Sequence, residues 1–262
     1  MQLINGDCIK EMDKIDDGSV AMCLTDLPYG CLNAGNENAK WDCQIPMEPL
    51  WEHWLRVCKP NAAIVLFAQG MFTAKLMMSK PDLWRYNLIY SKGRVSGHLN
   101  ANRMPLRSHE DIVVFYRQQP TYNPQKVKAL PGEESHSRGR TDKDVKNSCY
   151  GKMRIVEDGD LTMKYPKSIL YFPREAPTKI VHPTQKPVEL CRWLIRSYTN
   201  EGETALDCTM GSGTTGVACV FENRNFIREV RGNPTASALE GIARGRIVTN
   251  EKNLQSVLHL IP

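Results

Sequence analysis

Short apolar runs separated by amphipathic stretches recur along most of the chain, and their spacing predicts alternating strands and helices. Residues 19–25 make a β-capable run that stops abruptly at Asp26 and Pro28. From residue 47 to 59, Leu50, Trp51, Trp54, Leu55 and Cys58 fall at helical spacing, and Pro60 stops the pattern. Residues 62–68 read as a buried strand closed by Gly70, a helix follows over 71–78, and 84–90 and 111–116 read as two further strands. From 118 to 164 the periodicity fades into Pro, Gly, Ser, Lys and Arg, the composition of a long loop or a small inserted module. Patterning returns with a strand at 169–172, a helix over 188–198, a strand at 204–206 and a glycine loop. A helix over 214–222, a strand at 225–230 and a last helix near 238–247 complete it. Such alternation predicts an α/β fold whose mostly parallel sheet is covered on both faces.

Length and composition narrow this picture. At 262 residues the chain suits one α/β domain with an elaboration. No apolar run approaches a membrane span and the N-terminus lacks a signal-peptide layout, so no membrane association and a cytoplasmic location are expected. The nine cysteines (Cys8, Cys23, Cys31, Cys43, Cys58, Cys149, Cys191, Cys208 and Cys219) are scattered with no C-x-x-C pair, which predicts reduced structural thiols and no metal site. Net charge is only +5, but residues 91–180 hold 17 Lys/Arg against 10 Asp/Glu, while the rest hold 17 against 19. A surface that grips a polyanion would have this bias, and so would a solvated, Lys-rich region.

Two motifs carry candidate chemistry. Gly211-Ser212-Gly213-Thr214-Thr215-Gly216 matches G-x-G-x-x-G between a predicted strand and a predicted helix. It suits a dinucleotide with Glu229 as ribose-binding acid, or S-adenosylmethionine, or simple packing of a helix on a strand. Asp207 at the strand end would repel a pyrophosphate and suits the cationic amino-acid end of S-adenosylmethionine, which favours the second reading.

The other motif is Asp26-Leu27-Pro28-Tyr29, at the end of a strand where ligands gather in open α/β sheets. It suits methylation of an exocyclic amine, a poor nucleophile whose lone pair is delocalised into its ring. Asp26 and the Leu27 carbonyl can each accept an amine N–H and draw the nitrogen toward tetrahedral geometry. Pro28 holds Leu27 extended, and Tyr29 offers an aromatic face to a base extruded from a duplex. An ordinary Asp-x-Pro turn has the same sequence.

In this order the motifs resemble the β group of bacterial and phage DNA amino-methyltransferases, in which the catalytic corner precedes the cofactor loop. His182-Pro183-Thr184-Gln185-Lys186-Pro187 is similar to the segment lining the methionine end of the cofactor, and 206–216 resembles the cofactor loop. Asn5-Gly6-Asp7-Cys8 resembles the opening strand near the adenine, while residues 99–110 and 120–124 are similar to adenine-N6 members. The resemblance implies a Rossmann-like S-adenosylmethionine-dependent methyltransferase fold: a seven-stranded, mostly parallel sheet with one antiparallel strand, plus an inserted target-recognition region. Residues 1–90 would be the catalytic half, 91–165 the target-recognition insertion with adjoining strands, and 166–262 the cofactor half of the same domain.

By motif, Asp26, Leu27, Pro28 and Tyr29 would be catalytic. Asp7, Cys8, His182, Pro183, Thr184, Lys186, Asp207, Thr209, Gly211, Ser212, Gly213, Thr214 and Glu229 would bind the cofactor. Arg94, Arg103, Arg107, Arg138 and Arg140 in the basic middle third are the candidate DNA contacts. The implied function is site-specific methyl transfer from S-adenosylmethionine to the N6 amine of a flipped adenine. Asp at the first catalytic position is more typical of adenine enzymes, Ser of cytosine-N4 ones. A cytosine-N4 enzyme and a catalytically weakened DNA- or cofactor-binding homologue are the alternatives. Double-stranded DNA is the implied partner; a cognate restriction endonuclease and a homodimer are compatible with it. Three departures stand out: Leu27 where relatives usually have Pro, Thr209 where they usually have an aromatic residue, and extra residues after Ile227. These predict a less rigid corner and weaker stacking on the cofactor.

Overall fold

Among the described residues, ten strands and five helices follow one another as β1 (Gln2–Asn5), α1 (Cys8–Met12), β2 (Val20–Thr25), α2 (Met47–Val57), β3 (Cys58–Ala68), α3 (Met71–Ser79), β4 (Trp84–Ser96), β5 (Arg107–Phe115), β6 (Val127–Lys128), β7 (Met163–Lys164), β8 (Ile169–Phe172), α4 (Val188–Tyr198), β9 (Thr204–Asp207), α5 (Thr214–Phe221) and β10 (Asn225–Val230). The computed structural model describes residues 2–32, 39, 42–129, 162–173, 175 and 184–230. The expected helix near 238–247 lies outside the described residues.

Met1–Asn123 and Ser168–Pro262 form the main unit. Its sheet has the strand order β1-β10-β9-β2-β3-β5-β4-β8. Every adjacent pair is parallel except the two made by β5, which runs against both β3 and β4. The single antiparallel strand is as the family resemblance implies. Among the described residues one more edge strand joins this sheet, β8, which pairs along the outer edge of β4 from Ile89↔Ile169 to Lys92↔Phe172. That pairing covers backbone groups an edge strand would leave open.

Alternation along the central strands builds a core on each face of the sheet. Ala63, Val65 and Phe67 of β3 pack with Leu194 of α4 and Val217 of α5. Ile64, Leu66 and Ala68 pack on the other face with Met12 of α1, Trp54 of α2 and Leu76 of α3. Helix α2 is amphipathic: Leu50, Trp51, Trp54 and Val57 are buried at helical spacing. It ends at Val57, earlier than the pattern to residue 59 suggests, because Cys58 is already extended (φ −80°, ψ 137°) and opens β3. Lys59 precedes Pro60 and is biased toward the same extended backbone.

Strands β4 and β5 run further than their apolar cores. Beyond Tyr90↔Glu110 the pairing continues through Ser91↔His109 to Ser96↔Arg107, with a register shift on the β4 side. The connection is a compact turn opened by Gly97, whose φ of 93° favours glycine, and continued by a 3₁₀ turn over His98–Asn100. The smaller unit, Pro124–Lys167, carries the antiparallel pair β6 and β7, and the Lys126 ammonium lies 4.4 Å from the Tyr165 ring centre. Among the described residues no helix is long and apolar enough to cross a membrane, and no cluster of His, Cys, Asp or Glu could hold a metal ion.

Candidate active site

β2 and β9 are parallel neighbours in the sheet. From β2 the chain passes through α2 to β3 on one side, and from β9 through α5 to β10 on the other. The direction of strand order therefore reverses between them, and the crevice beyond their carboxyl ends is where such sheets bind ligands. Asp26 follows β2 at this crevice, and Asp207 ends β9 beside it.

Asp26 is held from two sides. Tyr29 Oη donates to its Oδ1 at 2.9 Å, and Lys186 Nζ donates to its Oδ2 at 2.5 Å. Lys186 also lies 3.3 Å from Glu110, which pairs in turn with Lys92 at 3.0 Å. Burial by itself lowers the pKa of Lys186, but Asp26 and Glu110 outweigh it and raise the value above the ordinary lysine range. Burial likewise pushes Glu110 up, and Lys186 and Lys92 more than offset this, holding its carboxyl below the usual range. Lys186 is therefore a fixed cation and Glu110 a fixed anion at neutral pH. The Tyr29 ring stacks on Phe72 with centres 4.9 Å apart, and burial followed by the Asp26 charge raises its pKa.

Past Tyr29 the chain wraps around a buried carboxylate. Asp42 accepts from the backbone N–H groups of Gly30, Cys31 and Leu32 at 2.9, 2.7 and 2.6 Å. Successive amides around one acid form a nest that fixes the loop behind the corner. Leu27, expected to loosen the corner, is only 3% exposed and packs in the core with α1, α2 and α3.

Asp207 is a different kind of acid. It is 5% exposed, and it accepts from Thr25 Oγ1 and Thr215 Oγ1, both at 2.8 Å, and from Thr209 N–H at 3.2 Å. Burial raises its pKa to about 6, and those hydrogen bonds only partly counter the shift. Thr209 extends the link: its hydroxyl lies 2.7 Å from that of Thr25 and donates to the Asp26 carbonyl at 3.1 Å. The glycine loop is thereby tied to the Asp26–Tyr29 corner through the Thr209 side chain. Gly213 then turns the chain into α5 with φ 79°, and the Ser212 and Thr214 hydroxyls lie 3.0 Å apart.

Sequence reasoning thus selected residues that the fold brings together, with several qualifications. Lys186, expected at the cofactor, has its ammonium on Asp26 and Glu110. Asp7 caps α1, its carboxylate accepting from Ile9 N–H at 3.1 Å, and Cys8 is the buried first residue of that helix. The Glu229 backbone pairs with Ile4 in β10, whereas its side chain, with His182, Pro183, Arg138, Arg140 and Cys149, lies outside the described residues. Arg94, Arg103 and Arg107 are exposed on the β4–β5 hairpin. Glu110, Thr25, Thr215 and Asp42 escaped sequence reasoning. So did Glu175, which accepts from Val188 N–H at the start of α4. The only signal for any of them was Glu110, which closes a segment similar to adenine-N6 enzymes.

The profile of the DNA methylase family (N6_N4_Mtase) matches residues 20–229. The chain belongs to this family. It is 22% identical over 233 residues to the type II methyltransferase M.HpaI of Haemophilus parainfluenzae, a match spanning 86% of this chain and 68% of that protein. M.HinfI of Haemophilus influenzae is 23% identical over 249 residues, but the match spans only 63% of its length. The fold is that of the M1.HpyAVI–SAM complex, with TM-score 0.61, 20% identity and coverage of 94% of this chain and 98% of that one. It is equally that of the PvuII DNA methyltransferase (cytosine-N4-specific), with TM-score 0.64, 14% identity and coverage of 95% and 90%. S-adenosylmethionine is the methyl donor of this DNA methylase family. The loop here is compatible with such a ligand: a Cβ added at Gly211 would meet none of the described residues within 4 Å, which leaves room beside the chain at the switch-point crevice.

Proposed function

We propose that this DNA methylase methylates the N6 amine of an adenine in double-stranded DNA at a defined sequence. The observation that carries the reading is Asp26 at the switch-point crevice, fixed by Tyr29 and Lys186 and bonded through its carbonyl to Thr209 of the cofactor loop. S-adenosylmethionine supplies an electrophilic methyl group at that loop. Asp26 retains lone pairs beyond those used by Tyr29 and Lys186, and it accepts one N–H of the target amine while the Leu27 carbonyl accepts the other. Lys186 keeps the carboxylate in place during this contact, and Glu110 with Lys92 keeps Lys186 in place. With S-adenosylmethionine held at that loop, these two acceptors would aim the nitrogen lone pair at its methyl group, and transfer would leave S-adenosylhomocysteine while the amine proton passes to solvent. The reaction needs no covalent enzyme–base bond, and six of the described cysteines are buried. The Asp at the head of the motif, more typical of adenine-N6 enzymes than of cytosine-N4 ones, supports adenine as the target.

The test is transfer of labelled methyl groups from S-adenosylmethionine to duplex DNA, then digestion and separation of the nucleosides, with the modified base mapped in its sequence. N6-methyldeoxyadenosine is the expected product. N4-methyldeoxycytidine would overturn the base assignment, and absence of transfer would overturn the activity.

A further inference from the structure

The turn joining β4 to β5 has no role in the chemistry above, yet its composition and placement are unusual. Two antiparallel steps separate β4 from β3, so both strands point the same way, and β4 ends on the edge of the sheet that carries Asp26. Glu110, which reaches Lys186 and through it Asp26, sits at the base of the hairpin extension. From there β5 leads back to Arg107, a run of about 10 Å at the usual strand rise, and the turn lies beyond it.

At that turn Leu99 is fully exposed, with Met104 and Val95 also exposed nearby. An isolated apolar surface residue is ordinary, but this one stands on an ordered support. Asn100 N–H donates to the Gly97 carbonyl at 2.9 Å, Ala101 N–H to His98 at 3.1 Å, and both Arg103 and Met104 N–H to Asn100 at 2.8 and 3.0 Å. From residue 92 to 109 the chain carries Lys92, Arg94, Arg103 and Arg107 and no Asp or Glu. Arg94, Arg103 and Arg107 are exposed, and Arg107 is steadied by Gln69 at the end of β3. The turn is thus a rigid apolar tip rimmed by cations, on the side of the sheet where the target base must arrive. Cations of this kind hold a phosphate backbone, and an apolar side chain between base steps unstacks them.

We infer that the β4–β5 turn is a DNA-opening element in which Leu99 enters the duplex and occupies the stack left by the target base. The partner is double-stranded DNA, so this inference rests on the methyltransferase reading. Leu99 touches neither reacting group, and acts by stabilising the extruded state. Its contribution should therefore vanish where the base is already unpaired.

The experiment compares wild type with Leu99→Ser in single-turnover methyl transfer to oligonucleotide duplexes carrying the mapped site. The target base is either correctly paired or mispaired. On the paired duplex the variant is expected to be slower by roughly tenfold or more, and on the mispaired one to come within about threefold of wild type. With 2-aminopurine at the target position, the variant should also show less of the fluorescence rise that accompanies extrusion. Because Leu99 is solvent-exposed, its replacement leaves the core intact and folding is not at issue. Equal rates for both proteins on the paired duplex, or the same deficit on both duplexes, would overturn the wedge while leaving the methyltransferase reading standing. Absence of transfer by wild type to any DNA would overturn that reading itself.

Discussion

Asp26 and Asp207 close adjacent parallel strands at one crevice, yet their surroundings assign them opposite work. The Asp26 side chain is 31% exposed and paired with Lys186, so it can reach a substrate. Asp207 is enclosed by Thr25, Thr215 and the Thr209 N–H, with no cation among its hydrogen-bond partners, and burial raises its pKa to about 6. On the proposed reading Asp26 faces the reaction, while Asp207 ties the glycine loop to β2. Strand-end position alone does not make an aspartate catalytic; the partner set does.

The largest effect expected from this division is at Asp26. Asp26→Ala should lower methyl transfer by about a thousandfold or more, the scale of losing a preorganised acceptor at the reacting atom. Thermal unfolding should change little, because Lys186 retains Glu110. A large fall in melting temperature would show Asp26 to be structural and would blur the contrast.

Asp207→Ala should do the reverse and cost stability, about 2–3 kcal/mol by chemical denaturation, because it strands buried donors. Asp207→Asn should cost under about 1 kcal/mol, since threonine hydroxyls can both donate and accept. The sign of the pH dependence is also fixed. A carboxyl whose pKa is raised on folding binds its proton more tightly in the native state. Wild type should therefore lose stability as pH rises from about 4 to 6, by up to about 3 kcal/mol from this group. Subtracting the Asp207→Asn curve isolates that slope, and a difference rising with pH would contradict the buried-acid account.

The smallest effect belongs to the bridge between the two acids. Thr209→Val should cost about 1 kcal/mol of stability, the worth of a side-chain hydrogen bond. It should also slow transfer by less than about tenfold, since the Asp26 carboxylate keeps Tyr29 and Lys186. A loss as large as that of Asp26→Ala would move Thr209 into the chemistry.

How much of this could be read along the chain depended on whether the cause was local. Helix Val188–Tyr198 coincides with its apolar pattern because one buried face, with Leu190, Cys191, Leu194 and Tyr198, dictates the period. Strands β4 and β5 were recognised only at their cores, since Ser91–Ser96 and Arg107–Glu110 carry no apolar alternation and are held by pairing with each other. Asp26, Tyr29 and the glycine loop stood out as motifs. The bond from Lys186 to Asp26 joins residues 160 positions apart, and the hydroxyl clamp on Asp207 draws on Thr25, 182 positions away. No local spacing encodes such contacts. The second follows from parallel strand order, which brings the ends of β2 and β9 together only once the sheet has formed.

The division of labour is tested most directly by single-turnover methyl transfer to duplex DNA with the matched variants Asp26→Asn and Asp207→Asn, each losing one charge and almost no volume. The account predicts that Asp26→Asn slows transfer by about a hundredfold or more, while Asp207→Asn stays within about threefold of wild type. Comparable losses in both, or a greater loss in Asp207→Asn, would contradict it.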